Sequence, residues 1–458
     1  MPYIEDIAQQ LAAKLSGCHA DYVEAHLDDS VSSYITYRGK ELETIGKSAS
    51  IGGNIRALVN GGWGFVSFNS LDNLDRHIKL ALEEAALAGK EPSQLADVPV
   101  IVEKVVYPDK PNPVEIPIAN KKELLDSYNA LLWQVPQLQT SVISYGDSYK
   151  KSIYINSQGS LIQQERSDVA LNIAAIASDG NQVQQSNMSI GNTGEFSAIH
   201  NLGDQVKDMA VRAVELLAAP QAKGGEYTVV LDPILAGVFV HEAFGHLSEA
   251  DFVYENERMR DLMVLGKRFG KSELNIVDGA ALSGLRGSFK YDDEGTPASK
   301  TYLIKEGILT SRLHSRETAA KMNEKPTGNA RAISYRHAPI VRMTNTYIEP
   351  GETTFEEMIS GIKEGIYAKN WYGGTTSMEM FTFSAGEAFM IRDGKIAELM
   401  RPVVLTGNVF ETLQQIDAIG DDLDMNQGGG CGKSSQSPLP VSNGSPHIRI
   451  QKCLVGGK

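Results

Sequence analysis

Cysteine is scarce: the chain has three in 458 residues, Cys18, Cys431 and Cys453. An odd, sparse count excludes a disulfide framework and fits a reducing compartment. Long apolar runs are missing too. The longest near the middle, Pro233 to Val240, falls far short of the ~20 residues needed to cross a bilayer. A basic start is also lacking. Met1 to Gly17 carries Glu5, Asp6, Gln9 and Gln10 and has no apolar core, so it reads as an amphipathic helix, not a signal peptide. The expected location is the cytoplasm, with no membrane contact. Positive charge is in deficit: 43 Lys and Arg against 57 Asp and Glu leave a net charge of −14. That surface repels phosphate backbones and argues against nucleic acid as a partner.

What is present is the composition of a globular protein, 42% hydrophobic and 22% charged, which excludes a disordered chain or a coiled coil. At ~150 residues per domain the length allows two or three units. Val23 to Leu27, Val31 to Tyr37 and Ile51 to Leu58 read as strands. Ser70 is positioned to cap a helix from Leu71 to about Ala88. A proline-rich strap follows at about 91–118, and Asn120 with Glu123 resembles a capping arrangement for the next helix. Val142 to Tyr145, Lys151 to Asn156, Ser160 to Glu165 and Val169 to Ile176 suggest an antiparallel sheet, and a helix from Asp204 to Ala218 stops at Pro220. The linker around Lys223-Gly224-Gly225 divides an N-terminal domain, 1–222, from a C-terminal domain, 223–458. Beyond it, Glu306-Gly307 and Asp393-Gly394 signal hairpins, and Thr353 with Glu356 signals a capping box. Both halves mix helices with antiparallel strands, so the fold class is α+β with two domains.

Asp232-Pro233 opens a helix that is apolar on every side and therefore buried. It runs into His241-Glu242-Ala243-Phe244-Gly245-His246. Two imidazoles are good zinc ligands, and a neighbouring carboxylate can serve as general base on water. The familiar spacing is H-E-x-x-H, histidines at i and i+4. Here they stand at i and i+5, so an ideal α-helix points them roughly 140° apart. One residue must be absorbed by a π-bulge or by unwinding near Gly245. Two satisfied core histidines are the bland alternative, but a glutamate in so apolar a helix is costly without a compensating partner. Zinc needs a third protein ligand, and Glu249, Asp251, His337 and Cys431 compete. Cys431 leads, because Gly428, Gly429, Gly430 and Gly432 leave its thiolate little shielded and Lys433 and a metal would favour it. The tail Gly432-Lys433-Ser434 lacks the first glycine of a phosphate loop, since Gln427 stands there.

The chain resembles the TldD/PmbA family of zinc-dependent peptidases, once described as modulators of DNA gyrase. The resemblance runs through Gly52 to Arg56, Gly61 to Phe65, His241 to His246 and Tyr291-Asp292-Asp293-Glu294-Gly295-Thr296-Pro297. It continues through Arg342 to Thr346, Phe383 to Ala388, Cys431 to Lys433 and Pro440 to Pro446. The motif H-E-x-x-x-H marks the TldD type; the PmbA (TldE) type lacks it. The resemblance implies zinc (Zn2+) held by His241, His246 and Cys431, with Glu242 as catalytic base. It also implies a peptidase acting on short or unfolded peptides, a cytoplasmic location, and a heterodimer with a PmbA (TldE)-type subunit, a homodimer being the variant. Ser435 stands where the family pattern has a glycine. His337 is a candidate oxyanion stabiliser, and Asp292, Asp293 and Glu294 are candidates for supporting the metal ligands or contacting a substrate amine, with a solvated acidic turn before Gly295 as the equal alternative. The rival reading is a non-catalytic regulatory or binding subunit whose metal site is structural.

Overall fold

The computed structural model describes residues 4–88, 93–106 and 111–457. Seven strands form the N-terminal sheet: β1 (Tyr22–Arg38), β2 (Glu41–Val59), β3 (Gly62–Phe68), β4 (Val102–Val105), β5 (Leu138–Asn156), β6 (Leu161–Ser178) and β7 (Val183–Asn192). Their order is β3-β2-β1-β5-β6-β4, with β7 also on β6. The segments expected as pairs of short strands, 23–27 with 31–37, 142–145 with 151–156, and 160–165 with 169–176, are each one continuous strand. Polar residues in their middles, such as Asp28 to Ser30 and Ser148 to Lys150, resemble turns in sequence. Continuous pairing across β1, β2 and β5 keeps them extended. The proline-rich strap is not all connector: β4 within it adds to β6 in parallel.

The sheet obeys a strict alternation. Odd positions of β1 and β5, from Val23 to Tyr37 and from Ile143 to Ile155, face helices on one side. Helices α1 (Ile4–Leu15) and α2 (Leu74–Ala88) cover one end of that face. Helices α3 (Ile118–Leu132) and α4 (Gly203–Ala218) cover the other. The expected caps lie elsewhere. Ser70 bonds Asp72 in a turn before α2, and α3 starts from Pro117 with no side-chain cap, because packing outweighs a weak capping preference.

The opposite face, Glu24, His26, Asp28, Ser30 and Ser32 on β1, is polar and turns toward the C-terminal half. Among the contacts that join the halves, three groups stand out. Arg56 Nε lies 2.9 Å from Glu24 and its Nη2 lies 2.6 Å from Glu294. Gln164 exchanges two hydrogen bonds with the backbone of Tyr291. Asp168 pairs with Arg286 through two bonds.

In the C-terminal half, β8 (Gly225–Leu231) lies between Glu364–Ser377 and Ile448–Gly457. Pairing continues through Val403–Asn408 to Met380–Arg392, which pairs back onto Glu364–Ser377 and closes a ring. A second sheet contains Ile276–Gly279, Asn345–Ile348 and Ser442–Ser445. Helix α5 (Pro233–Val240) is wedged between ring and second sheet, which is why it is apolar all round. Asp232 caps it as expected, accepting from Leu235 N at 2.8 Å. The Glu306-Gly307 and Asp393-Gly394 hairpins form as expected. The capping box sits one residue later than expected, on Thr354 and Glu357. The architecture is α+β.

Arg56→Ala leaves Glu24, fully buried, and Glu294, 2% exposed, without their shared cation. Breaking a buried pair from one side costs about 3–5 kcal/mol. Urea unfolding should show a loss of that size; a loss below about 1 kcal/mol would mean the pair does not fasten the halves.

Candidate metal centre

The buried α5 ends at Val240, and the next five residues, His241 to Gly245, form a π turn. The His246 N–H donates to the His241 carbonyl, five residues back. This single widened turn takes up the residue that separates i+5 from i+4. Its location follows from packing. A Cβ on Gly245 would lie 2.1 Å from Met343 Sδ, and Met343 is fully buried. Only glycine lets the turn approach that side chain. The two imidazoles end with ring centroids 5.4 Å apart.

Cys431 arrives 185 residues beyond His246, with its Sγ 3.5 Å from His246 Nε2. One donor atom from each of His241, His246 and Cys431 lies within 4.8 Å of the others. Cys431 is carried by a hairpin, Gly430–Lys433 with Gln436–Pro440. Its turn residues Ser434 and Ser435 have φ of 47° and 63°. Two successive left-handed residues are what a type I′ turn requires, which explains why glycine is expected at 435. Arg342, fully buried, holds the hairpin by donating to the Cys431 carbonyl at 2.7 Å and the Gln436 carbonyl at 3.1 Å.

The other candidate third ligands have other tasks. Glu249, 2% exposed, accepts from His246 Nδ1 at 3.1 Å and lies 3.1 Å from Lys433 Nζ. Asp251 bonds Lys433 through both oxygens. Lys433 therefore serves these carboxylates. A carboxylate on the far nitrogen fixes the tautomer and orientation of His246. His337 lies outside the cluster, in a small pocket with His26 and Asn54. Glu242 stands beside the cluster, its carboxylate 3.9 Å from His246 Nε2 and its side chain 31% exposed.

The acidic turn divides by burial. Glu294 is 2% exposed and committed to Arg56 and the Arg316 N–H, so it is corrected from substrate contact to structural anchor. Asp292 accepts from the backbone of Glu294, Thr296 and Ala330. Asp293 alone of the three lines a cavity of about 590 Å³ without being fully enclosed. That cavity lies between the polar sheet face and loops of the C-terminal half, and reaches Leu439 and Pro440. Leu439 pairs with Cys431 and Pro440 with Gly430, so the cavity borders the Cys431 hairpin. Reading the sequence missed Arg342 and Arg331, whose partners are backbone carbonyls that no motif announces.

Electrostatics support a cation between these donors. Burial pushes the Cys431 thiol up, but hydrogen bonds and charge from His241 and His246 outweigh it and bring it down to about 5. His246 is shifted down by burial, yet Glu249 and then Cys431 hold it well above the usual imidazole value. The buried His241 Nδ1 has no hydrogen-bond partner among the described residues. Two imidazoles and a thiolate with an unsatisfied ring nitrogen fit a borderline-soft ion such as zinc.

Comparison with known proteins gives concordant matches. Family profiles for the PmbA/TldA metallopeptidases match three segments: domain 1 at 23–88, the central domain at 111–219 and the C-terminal domain at 224–457. A metalloprotease of Synechocystis sp. is 47% identical over 440 residues, 96% of this chain and 95% of that one. A zinc metalloprotease TldD homolog of Saccharolobus solfataricus is 32% identical over 421 residues, 89% and 90% of the two chains. Among solved structures, TldE from Thermococcus kodakarensis superposes with a TM-score of 0.77 at 18% identity, covering 98% of this chain and 100% of that one, which shows a shared fold.

In metal-free protein, the Cys431 thiolate should be lost only as pH falls through about 5, well below the ordinary thiol value. Cys18 is raised and Cys453 is pushed to about 12 by burial, so neither contributes in that range. Thiolate absorbance near 240 nm should therefore show one step near pH 5, absent in Cys431→Ser. A first step above pH 8 would contradict the site's electrostatics.

Proposed function

The chain belongs to the PmbA/TldA metallopeptidase family, and from that premise we propose that it hydrolyses short or unfolded peptides, with zinc held by His241, His246 and Cys431 and Glu242 as general base. The observation that carries this reading is the convergence of three donor atoms within 4.8 Å beside a half-buried carboxylate. Bound there, zinc supplies a Lewis acid that polarises a peptide carbonyl and acidifies water. The chain's own residues do the rest. Glu242 takes a proton from the attacking water and returns it to the leaving amine. It is placed for both steps because it follows His241 directly and faces the side where its carboxylate is accessible. Glu249 holds His246 in the tautomer that offers Nε2 toward Cys431. The cavity beside Pro440 admits an extended chain, and strand addition along an exposed edge would satisfy its backbone. A folded domain is too large for 590 Å³, so selection is by size and disorder.

A purely structural zinc site is the competing reading. Structural sites are closed by four protein ligands; three donors converge here among the described residues, which favours an open position. Pairing with a PmbA (TldE)-type subunit is part of the proposal. A cytoplasmic setting suits a site that depends on a free thiolate. No described helix is long and apolar enough to cross a membrane.

Glu242→Ala should keep stoichiometric zinc, read by elemental analysis, and lose cleavage of a short unstructured peptide by at least about a hundredfold. Unchanged turnover would refute the mechanism. Glu249→Gln should keep the fold and weaken zinc affinity by about 10–100-fold, measured by chelator competition.

A further inference from the structure

The cavity beside the Cys431 hairpin is lined by two cations with no directly paired carboxylate among the described residues, Arg331 on the hairpin side and Arg166 on β6 of the facing sheet. Arg331 is 4% exposed. It donates to two neutral acceptors, the Met343 carbonyl at 2.6 Å and the Pro440 carbonyl at 2.7 Å. Arg166 donates to the carbonyl of Arg286. Among the described residues no carboxylate lies within 4 Å of either guanidinium. The nearby acids are engaged. Asp168 is bound at both oxygens by Arg286, Asp292 caps backbone N–H groups, and Asp28 faces Lys150 at 3.8 Å. Asp293 accepts from the Ala332 N–H at 2.7 Å and is one acid against two cations. Burial first, and then Arg166, draw Arg331 down to about 9, in spite of Asp293 and Asp278. A guanidinium has five N–H donors, so Arg331 keeps donors beyond the two already used.

We propose that Arg331 and Arg166 form a carboxylate subsite for the peptide substrate. A planar carboxylate matches the guanidinium fork, and the ligand supplies the charge that the wall lacks. The position gives the subsite its meaning. Pro440, gripped by Arg331, pairs with Gly430 beside Cys431. Met343, also gripped, packs on Gly245 in the π turn. Ladder spacing then puts the guanidinium on the order of 10 Å from the metal-site cysteine, two or three residues of extended peptide. A carboxylate held there belongs either to the peptide C-terminus or to an acidic side chain close to the scissile bond. The assignment rests on the peptidase reading above.

The test measures binding apart from turnover. The zinc-loaded Glu242→Gln protein is titrated against three fluorescently labelled tetrapeptides by anisotropy. They are tetra-alanine as free acid, tetra-alanine amide, and an amide with one glutamate. The free acid, the glutamate peptide or both should bind about tenfold or more tightly than the alanine amide. A preference for the free acid identifies the terminal carboxylate, and a preference for the glutamate peptide identifies a side chain. Arg166→Gln and Arg331→Gln should each erase the preference; Arg166→Gln suffices where Arg331→Gln does not fold. Equal binding of all three peptides, no measurable binding of any, or a preference that survives Arg166→Gln overturns the subsite. Wild-type protein that shows the preference but cleaves none of the peptides leaves the subsite standing and overturns the peptidase reading.

Discussion

The extra residue between two histidines is the constraint on which this structure turns. At i and i+5 an α-helix cannot present both imidazoles to one point. The chain meets this with one π turn, and the turn needs Gly245 because buried Met343 leaves no room for a Cβ. A widened turn has weaker internal support than an α-helix, so its surroundings must hold it. Here they do so from both sides: α5 is wedged between the closed ring and the second sheet, and Met343 comes from the segment leading into that sheet's Asn345–Ile348 strand.

Around that turn, arginine and lysine act as clamps on backbone carbonyls and buried carboxylates. Arg342 fixes the Cys431 hairpin, Lys433 fixes Glu249 and Asp251, and Glu249 orients His246. Arg331 ties the same hairpin to Met343. Buried cations carry a desolvation cost that carbonyls offset only in part. Where carboxylates complete the balance, as at Lys433, the site is rigid. Where they do not, as at Arg331 on one wall and Arg166 on the facing sheet, the cavity holds two guanidinium groups with no directly paired carboxylate among the described residues. The polar face of the N-terminal sheet forms the opposite wall, so alternation along β1 and β5 builds one side of the cavity directly.

Much of this was legible in the residues. The all-apolar helix, the Asp232-Pro233 start, the need for a distortion near Gly245 and the Glu306-Gly307 and Asp393-Gly394 hairpins are local signals, and each appears in the structure. Other expectations failed for stated reasons. Short strands were expected where polar residues interrupt β1, β5 and β6, because a long strand that buries one face only in part resembles two strands and a turn. Caps at Ser70, Asn120 and Thr353 were displaced, since a capping preference of about 1 kcal/mol yields to packing. Glu294 read as a candidate substrate contact because its cation, Arg56, lies 238 residues away.

The sequence by itself determined the helix that carries the histidines, the strain that helix must absorb, and the chemical types available for a metal. These depend on neighbours within about one or two turns. Tertiary structure decided which of Glu249, Asp251, His337 and Cys431 would bring a donor atom close to both histidines, and which acids would face a cavity instead of a buried arginine. Those outcomes depend on contacts across 185 and 238 residues. Pattern cannot supply them, because a side chain's role there is set by what the fold brings against it and how much water it removes.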